Sequence, residues 1–353
     1  MSNSFCRFLS NGYSFNLQQG NLVFKPCCWY NEDILYDKNF ELTKTHLNKI
    51  SGWTPGCKVC MNQESAGYTS FRKSSFDIVD SDHADNVVTT LDINLDFVCN
   101  AACVICTPDV STLWSKQLTK HKIIHIKPAV DFEDHLNKIL ELDLTHLRRV
   151  KFFGGEPLLT DTHKRVLERI PNPEQVDIWY TTNGSVLPDS DLINLWGKFK
   201  VVYFEVSIDG IDEQFDYIRW PLTWEKVERN LQELKQIAPA NLLFRINYTA
   251  NPLNILYYDR VEHWHNTKFS TNRFGDPTEI NIHPCWGTWD LNKTPSKLRD
   301  LVCEKYGDHK ISAMISNEPI VDYKPIMDFV DQWDPIRKQS WKSVFPEIVD
   351  YFT

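Results

Sequence analysis

The chain has 353 residues, 42% hydrophobic and 24% charged, with 13 Gly and 18 Pro, which suffices for one large core or two smaller ones and excludes disordered and collagen-like classes. Lys and Arg number 38 against 47 Asp and Glu, a formal net charge of −9, so a nucleic-acid partner held by counterion release is not expected and any polyanion site is restricted to a local basic groove. Cys6, Arg7 and several polar residues interrupt the apolar stretch that a signal peptide needs, and no segment approaches bilayer-spanning length; the expectation is a soluble, cytoplasmic protein with no membrane partner.

Residues 1–85 are irregular and cysteine-rich. Short strands are expected around Ser14–Asn16 and Leu22–Lys25, with a helix-like stretch near Phe40–Ile50. That is too little to bury a core without a staple, and a metal cluster would supply one. Residues 86–284 alternate apolar strand runs with helical spacing. The strands expected are Leu91–Phe97, Arg149–Phe153, Val176–Thr181, Val201–Ser207, Leu242–Thr249 and Glu279–His283. The helices expected are Thr107–Lys120 with Pro108 at its start, Phe132–Leu142, Thr160–Ile170, Asp189–Trp196, a segment from Trp224 to Ile237 capped by Thr223, and Ile255–His265. This order implies an α/β fold: a parallel sheet with right-handed crossovers, forming a partial (β/α)6 TIM-like barrel whose function collects at the carboxyl ends of the strands. Residues 285–353, rich in Trp and punctuated by Pro, read as a C-terminal extension packed on the barrel.

Ten cysteines are many for a reducing compartment, where ligation is the commoner use than disulfides, and eight of the ten lie in the first third of the chain. The first barrel strand runs into Cys99, Cys103 and Cys106, spaced C-x3-C-x2-C, and then into a helix. Three thiolates on a [4Fe–4S] cluster leave one iron open to a ligand with an amine and a carboxylate. A zinc site or unligated buried cysteines are the competing readings. At the next strand ends stand Gly154-Gly155-Glu156-Pro157, then Thr182-Asn183-Gly184, then Ser207-Ile208-Asp209-Gly210 followed by Arg219. Asp209 and Asp216 read as turn or surface ion-pair residues, and Asn247 and Thr249 share one face of the fifth strand.

These motifs, in this order over about 130 residues, resemble the radical SAM superfamily. The resemblance implies that Cys99, Cys103 and Cys106 ligate a [4Fe–4S] cluster, and that Gly154, Gly155, Glu156, Asn183, Ser207, Arg219 and the backbone of Ile105 bind S-adenosylmethionine. Ile105 stands where the family usually carries an aromatic residue. The implied activity is reductive cleavage to a 5′-deoxyadenosyl radical that takes hydrogen from a substrate, a peptide or protein by analogy. The implied electron donor is a reduced flavodoxin or ferredoxin-like protein.

Upstream, Cys6, Pro26-Cys27-Cys28 and Cys57-x2-Cys60, continuing through Glu64, Gly67, Ser70 and Arg72, resemble the twitch domain, a shortened relative of the SPASM domain. This implies an auxiliary [4Fe–4S] cluster on Cys6, Cys27, Cys57 and Cys60, with Cys28 in place of Cys27 as the variant assignment. Adjacent cysteines on extended chain point opposite ways, so one ligand and one packing residue are expected. A zinc knuckle competes here, and Arg7-Phe8 replaces the family's Pro-Trp after the first cysteine. For the whole chain the alternatives are a non-catalytic iron–sulfur electron carrier and a zinc-stapled binding module. Cys285, at the end of the sixth strand, and Cys303 read as packing residues, and the sequence names no catalytic donor.

Overall fold

The computed structural model describes residues 6, 8–18, 21–32, 34–35, 44, 47, 52–65, 69–74, 87–94, 97–123, 132–315 and 322–352. The expected helix at Phe40–Ile50, apart from two positions, and Gly67 lie outside them. The strands form one open sheet: β1 (Gly12–Gln18), β2 (Asn21–Lys25), β3 (Ile34–Leu35), β4 (Thr90–Asn94), β5 (Arg149–Phe152), β6 (Asp177–Thr182), β7 (Val201–Ser207), β8 (Leu242–Ala250) and β9 (Glu279–Pro284). Their spatial order is β3-β2-β1-β4-β5-β6-β7-β8-β9, so the fold is a partial TIM-like α/β barrel that does not close. From β4 to β9 every pairing is parallel, as the strand–helix alternation requires.

The N-terminal strands do not build a separate sheet. β1 pairs in parallel with β4, Ser14 opposite Asp92, and carries β2 antiparallel on its outer side. The sheet thus crosses the boundary expected near residue 85.

The alternation is most regular on β8. On β8, Leu242, Phe244, Ile246, Tyr248 and Ala250 are buried against the helices, whereas Leu243, Arg245, Asn247 and Thr249 face the barrel's interior, half-buried. A parallel sheet covered on both faces reads as a continuous apolar run, so this alternation marks an inner face left open to something polar. On the outer face Trp196, Tyr180, Phe204, Phe244 and Phe269 form an edge-on aromatic stack, each burial removing apolar area worth about 1.5–3 kcal/mol.

Helix starts differ from the sequence reading where a side chain supplies the cap. Thr107–Lys120 divides into a 3-10 turn at Pro108–Val110 and a helix at Thr112–Lys120, because Ser111 is extended and its Oγ accepts from the Trp114 N–H. The helix Trp224–Ile237 is capped through space: Thr223 makes no side-chain cap bond, and Asp216 Oδ1 accepts from the Trp224 N–H at 2.6 Å. The extension holds helices Ser296–Tyr306 and Lys324–Arg337 and a terminal 3-10 segment Pro346–Phe352. Cys303 is exposed on the first of these rather than packed, since the helix buries Leu298, Arg299 and Val302 instead. Among the described residues no helix is long and apolar enough to cross a membrane.

Candidate functional site

The loop after β4 is held by three elements. Three successive carbonyls accept side-chain donors: Ala101 from Ser111 Oγ at 2.6 Å, Ala102 from Arg337 Nη2 at 2.9 Å, and Cys103 from Trp114 Nε1 at 2.9 Å. The Ala102 and Val104 N–H groups donate to the carbonyls of Trp220 and Ile218. Thr112 Oγ1 accepts from the Cys99 N–H at 3.1 Å. Every one of these bonds fixes backbone and leaves the thiols to face inward.

Across from this loop lies the end of β5. The Glu156 N–H donates to the Val98 carbonyl at 2.7 Å. A Cβ on Gly155 would stand 2.4 Å from that carbonyl oxygen, so the second glycine is required by the close passage of the cysteine loop itself. Gly154 has φ of 120°, a conformation that side chains rarely adopt. Glu156 turns away from the opening. Its carboxylate accepts from Thr182 Oγ1 at 2.7 Å and from the N–H groups of Asn183 at 2.6 Å and Leu158 at 3.2 Å, tying β5 to the end of β6. Burial nevertheless raises its pKa.

A cavity of about 380 Å³ opens between these elements. Cys99, Cys103 and Cys106 line one wall with Ile105; Gly154, Gly155, Asn183, Ser207 and Arg219 line the rest. Of the residues predicted from the strand ends, all but Glu156 meet there, and Glu156 acts as the brace behind them. Thr182 and Thr249 also face the cavity. So do Cys285, at the end of the sixth barrel strand and buried, and Trp286, 74% exposed at the mouth. Burial pushes the Cys285 thiol up to about 12.

The electrostatics favour thiolates at one point. The Cys106 thiol hydrogen-bonds to Cys103, and the Arg219 Nη1 stands 3.8 Å from Cys103 Sγ; together they hold the Cys103 thiol below its usual range against the pull of burial. Cys99, without such help, is pushed up to about 12 by burial and then by Cys103. Arg219 does not stand free for an incoming carboxylate. Its Nη2 lies 2.5 Å from Asp209, which is fully buried and accepts from the Thr249 N–H at 2.7 Å. Asp209 is therefore an internal counter-ion, where the sequence had suggested a turn or surface pair.

Among the described residues, no three His, Cys, Asp or Glu side chains gather closely enough for a single metal ion. A four-iron cluster takes each thiolate on a different iron and so needs ligands set further apart. Three thiols on one wall, a neighbouring guanidinium and a glycine turn opposite are a donor set that fits such a cluster with one position left for a small chelating ligand, and the volume suits one.

Below the cavity, the inner face of the sheet is polar row by row. Lys151 pairs with Glu205 at 3.2 Å and Arg245 with Glu279 at 3.7 Å, while Arg245 covers the rings of Trp179 and Tyr203 at 4.8 and 4.5 Å. The charges are thus matched. The buried atoms on this face without a hydrogen-bond partner include Trp179 Nε1 and Asn94 Oδ1 and, at its lower end, Arg149 Nε and Asp177 Oδ1.

The second cysteine group lies at the edge. Cys6 lies in the field of Cys57, Cys60 and Arg72, and Cys27 in that of Cys28, Cys6 and Cys60; burial pushes Cys6 up to about 12. Cys28 faces the other way, toward Asp92, Arg149 and Lys151 inside the barrel. Glu64 joins Arg72 by two bonds at 2.6 and 3.0 Å and accepts from Ser70 Oγ, bringing together the residues that follow the Cys57–Cys60 pair.

No curated protein matches the chain. Among solved structures, similarity is found to native anSMEcpe with bound AdoMet, at 18% identity, covering 62% of this chain and 60% of that one with a TM-score of 0.43. Similarity is also found to Streptococcus suis SuiB bound to S-adenosylmethionine, at 12% identity, covering 85% and 70% with a TM-score of 0.40. The chain thus spans about three fifths of the length of anSMEcpe. Residues 93–247, from β4 to β8 and including all three cavity cysteines, match the family model of the radical SAM superfamily. Over residues 93–247 the chain is thus similar to a radical SAM domain.

Proposed function

We propose that this enzyme binds a [4Fe–4S] cluster through Cys99, Cys103 and Cys106 and S-adenosylmethionine beside it, and that it modifies a peptide or protein. The observation that carries the reading is that three thiols and the ends of β5, β6 and β7 line one cavity. When bound, the cluster and the sulfonium compound supply a 5′-deoxyadenosyl radical able to take hydrogen from a substrate. The chain's own contributions are positional. Gly154 and Gly155 bring backbone to the cofactor's amino end, Asn183 and Ser207 offer an amide and a hydroxyl to its ribose and methionyl parts, and Ile105 offers backbone to its adenine. Arg219, neutralised by Asp209, compensates thiolate charge at Cys103 rather than clamping a carboxylate.

The peptide reading is supported by the inner face below the cavity. Its opposite charges pair, and its unpartnered atoms include one neutral N–H donor, Trp179 Nε1, and one neutral carbonyl acceptor, Asn94 Oδ1, beside Arg149 Nε and Asp177 Oδ1 at its lower end. Neutral donor and acceptor positions suit backbone amides better than a charged ligand. The grouping of Cys6, Cys27, Cys57 and Cys60 supports an auxiliary [4Fe–4S] cluster in a twitch-like module, with a structural or electron-transfer role. A reduced flavodoxin or ferredoxin-like protein would deliver the electron.

The test is anaerobic reconstitution followed by iron, sulfide and zinc assay, then addition of dithionite and S-adenosylmethionine. Formation of 5′-deoxyadenosine, abolished in Cys103→Ala, is the expected result. A loaded protein that forms none is an electron carrier, and one that retains zinc in place of iron is a stapled binding module.

A further inference from the structure

Arg337 lies at the end of the helix Lys324–Arg337, 235 residues from the loop it touches. It is 7% exposed, and its guanidinium carbon lies 4.5 Å from the ring of Trp114, 5.0 Å from Trp220, 5.4 Å from Trp333 and 5.9 Å from Phe329. Nη2 donates to the Ala102 carbonyl and, at 3.4 Å, to Gln117 Oε1, while Nε and Nη1 have no partner. The nearby carboxylate, Asp334, is engaged by the Tyr217 hydroxyl and the Trp341 N–H, both at 2.7 Å.

A buried cation without a paired carboxylate is expensive to keep, and four aromatic faces offset only part of that expense. Burial pushes Arg337 down to about 10, which leaves it charged at neutral pH, and through Ala102 its guanidinium sits one residue from Cys103, whose charge it feels. Simple clamping of the Ala102 carbonyl could be done by a neutral amide. A permanent charge does something an amide cannot: a cluster held by the three thiolates would carry one more negative charge after accepting an electron, and a fixed cation in a low-dielectric cage would stabilise that state. Arg219 does this less, since Asp209 already neutralises it.

We infer that Arg337 is a positioning residue for the three-cysteine site, its unpaired charge delivered from the C-terminal extension to the back of the loop so that the site is easier to reduce. The inference rests on the reading of that site as a cluster. The experiment compares reconstituted wild type with Arg337→Gln, Arg337→Lys and Gln117→Glu, measuring iron and sulfide content and titrating with dithionite and mediators. The readout is the midpoint of the paramagnetic signal that changes when S-adenosylmethionine is added. Arg337→Gln and Gln117→Glu should shift the midpoint to lower potential at unchanged iron content, and Arg337→Lys should stay near wild type. Loaded variants with the wild-type midpoint overturn the inference. Where Arg337→Gln fails to take up iron, Gln117→Glu, which keeps the arginine in its cage and sets a carboxylate beside Nη2, decides on the same readout. A wild-type protein that takes up no iron refutes the cluster reading instead, so the two failures are distinguishable.

Discussion

Gly155→Ala is the sharpest perturbation of the way the cysteine loop is seated. The added methyl would lie 2.4 Å from the Val98 carbonyl oxygen, 2.8 Å from the Phe97 carbonyl carbon and 2.9 Å from that of Val98, all backbone atoms that cannot rotate aside. Ordinary contact at 3.4 Å demands that the two chains separate by about 1 Å, and the residue that moves with them is Cys99. Overpacking of this kind costs about 1–3 kcal/mol. The Glu156 N–H bond to Val98, 2.7 Å long, would stretch out of range and add about 1 kcal/mol, for a total of about 2–4 kcal/mol. Anaerobic urea unfolding of the metal-free protein measures the stability change, and iron content after reconstitution measures whether Cys99 still reaches its ligand position. Gly197→Ala is the control: its φ is −62° and the added methyl meets nothing closer than 3.5 Å, so stability should change by less than about 0.5 kcal/mol. If Gly155→Ala unfolds with wild-type stability and takes up wild-type iron, the close passage of the loop is not what requires glycine there.

If the proposed auxiliary cluster is held as assigned, removing Cys27 should cost its iron while Cys28→Ala retains it, because Cys27 lies in the field of Cys6 and Cys60 and Cys28 in that of Asp92, Arg149 and Lys151; iron assay of the two variants decides, and equal loss would overturn the assignment. Glu156→Gln sets an NH2 or a poorer acceptor against the Asn183 N–H and Thr182 hydroxyl, so it should destabilise by about 1–3 kcal/mol, measured by the same unfolding. His163, 2.7 Å from the Tyr180 hydroxyl, is pushed down to about 4 by burial from an ordinary 6.5. It is neutral in the fold, so the stability it contributes is fully present above pH 6.5 and is lost as pH falls toward 4. From pH 7 to pH 5 this amounts to about 2 kcal/mol. His163→Phe should lose that part of the pH dependence, and an unchanged slope of stability against pH would show that another group is responsible.

The strand alternation made the fold class legible before any coordinate: Leu242-Leu-Phe-Arg-Ile-Asn-Tyr-Thr-Ala250 carries both its helix-facing and its inner face in its own spelling. The cysteine spacing and the glycine pair were equally local, and they met where strand ends must meet in parallel α/β units. Helix ends were less legible, since caps such as Asp216 on Trp224 come from the preceding helix rather than from the residue next to the helix start. The site residues that read differently, Glu156, Asp209 and Arg219, are all buried groups whose partners lie on other strands or loops.

What the amino-acid order determined alone is therefore what repeats at short range: strand periodicity, helix faces, and ligand types delivered at successive strand ends. Only tertiary structure decided that β1 joins β4, that Cys27 and not Cys28 faces the other N-terminal thiols, that Asp209 consumes the charge of Arg219, and that Arg337 reaches Ala102. Periodicity is set by backbone geometry within a few residues, whereas burial and counter-charge depend on which distant surfaces exclude water together.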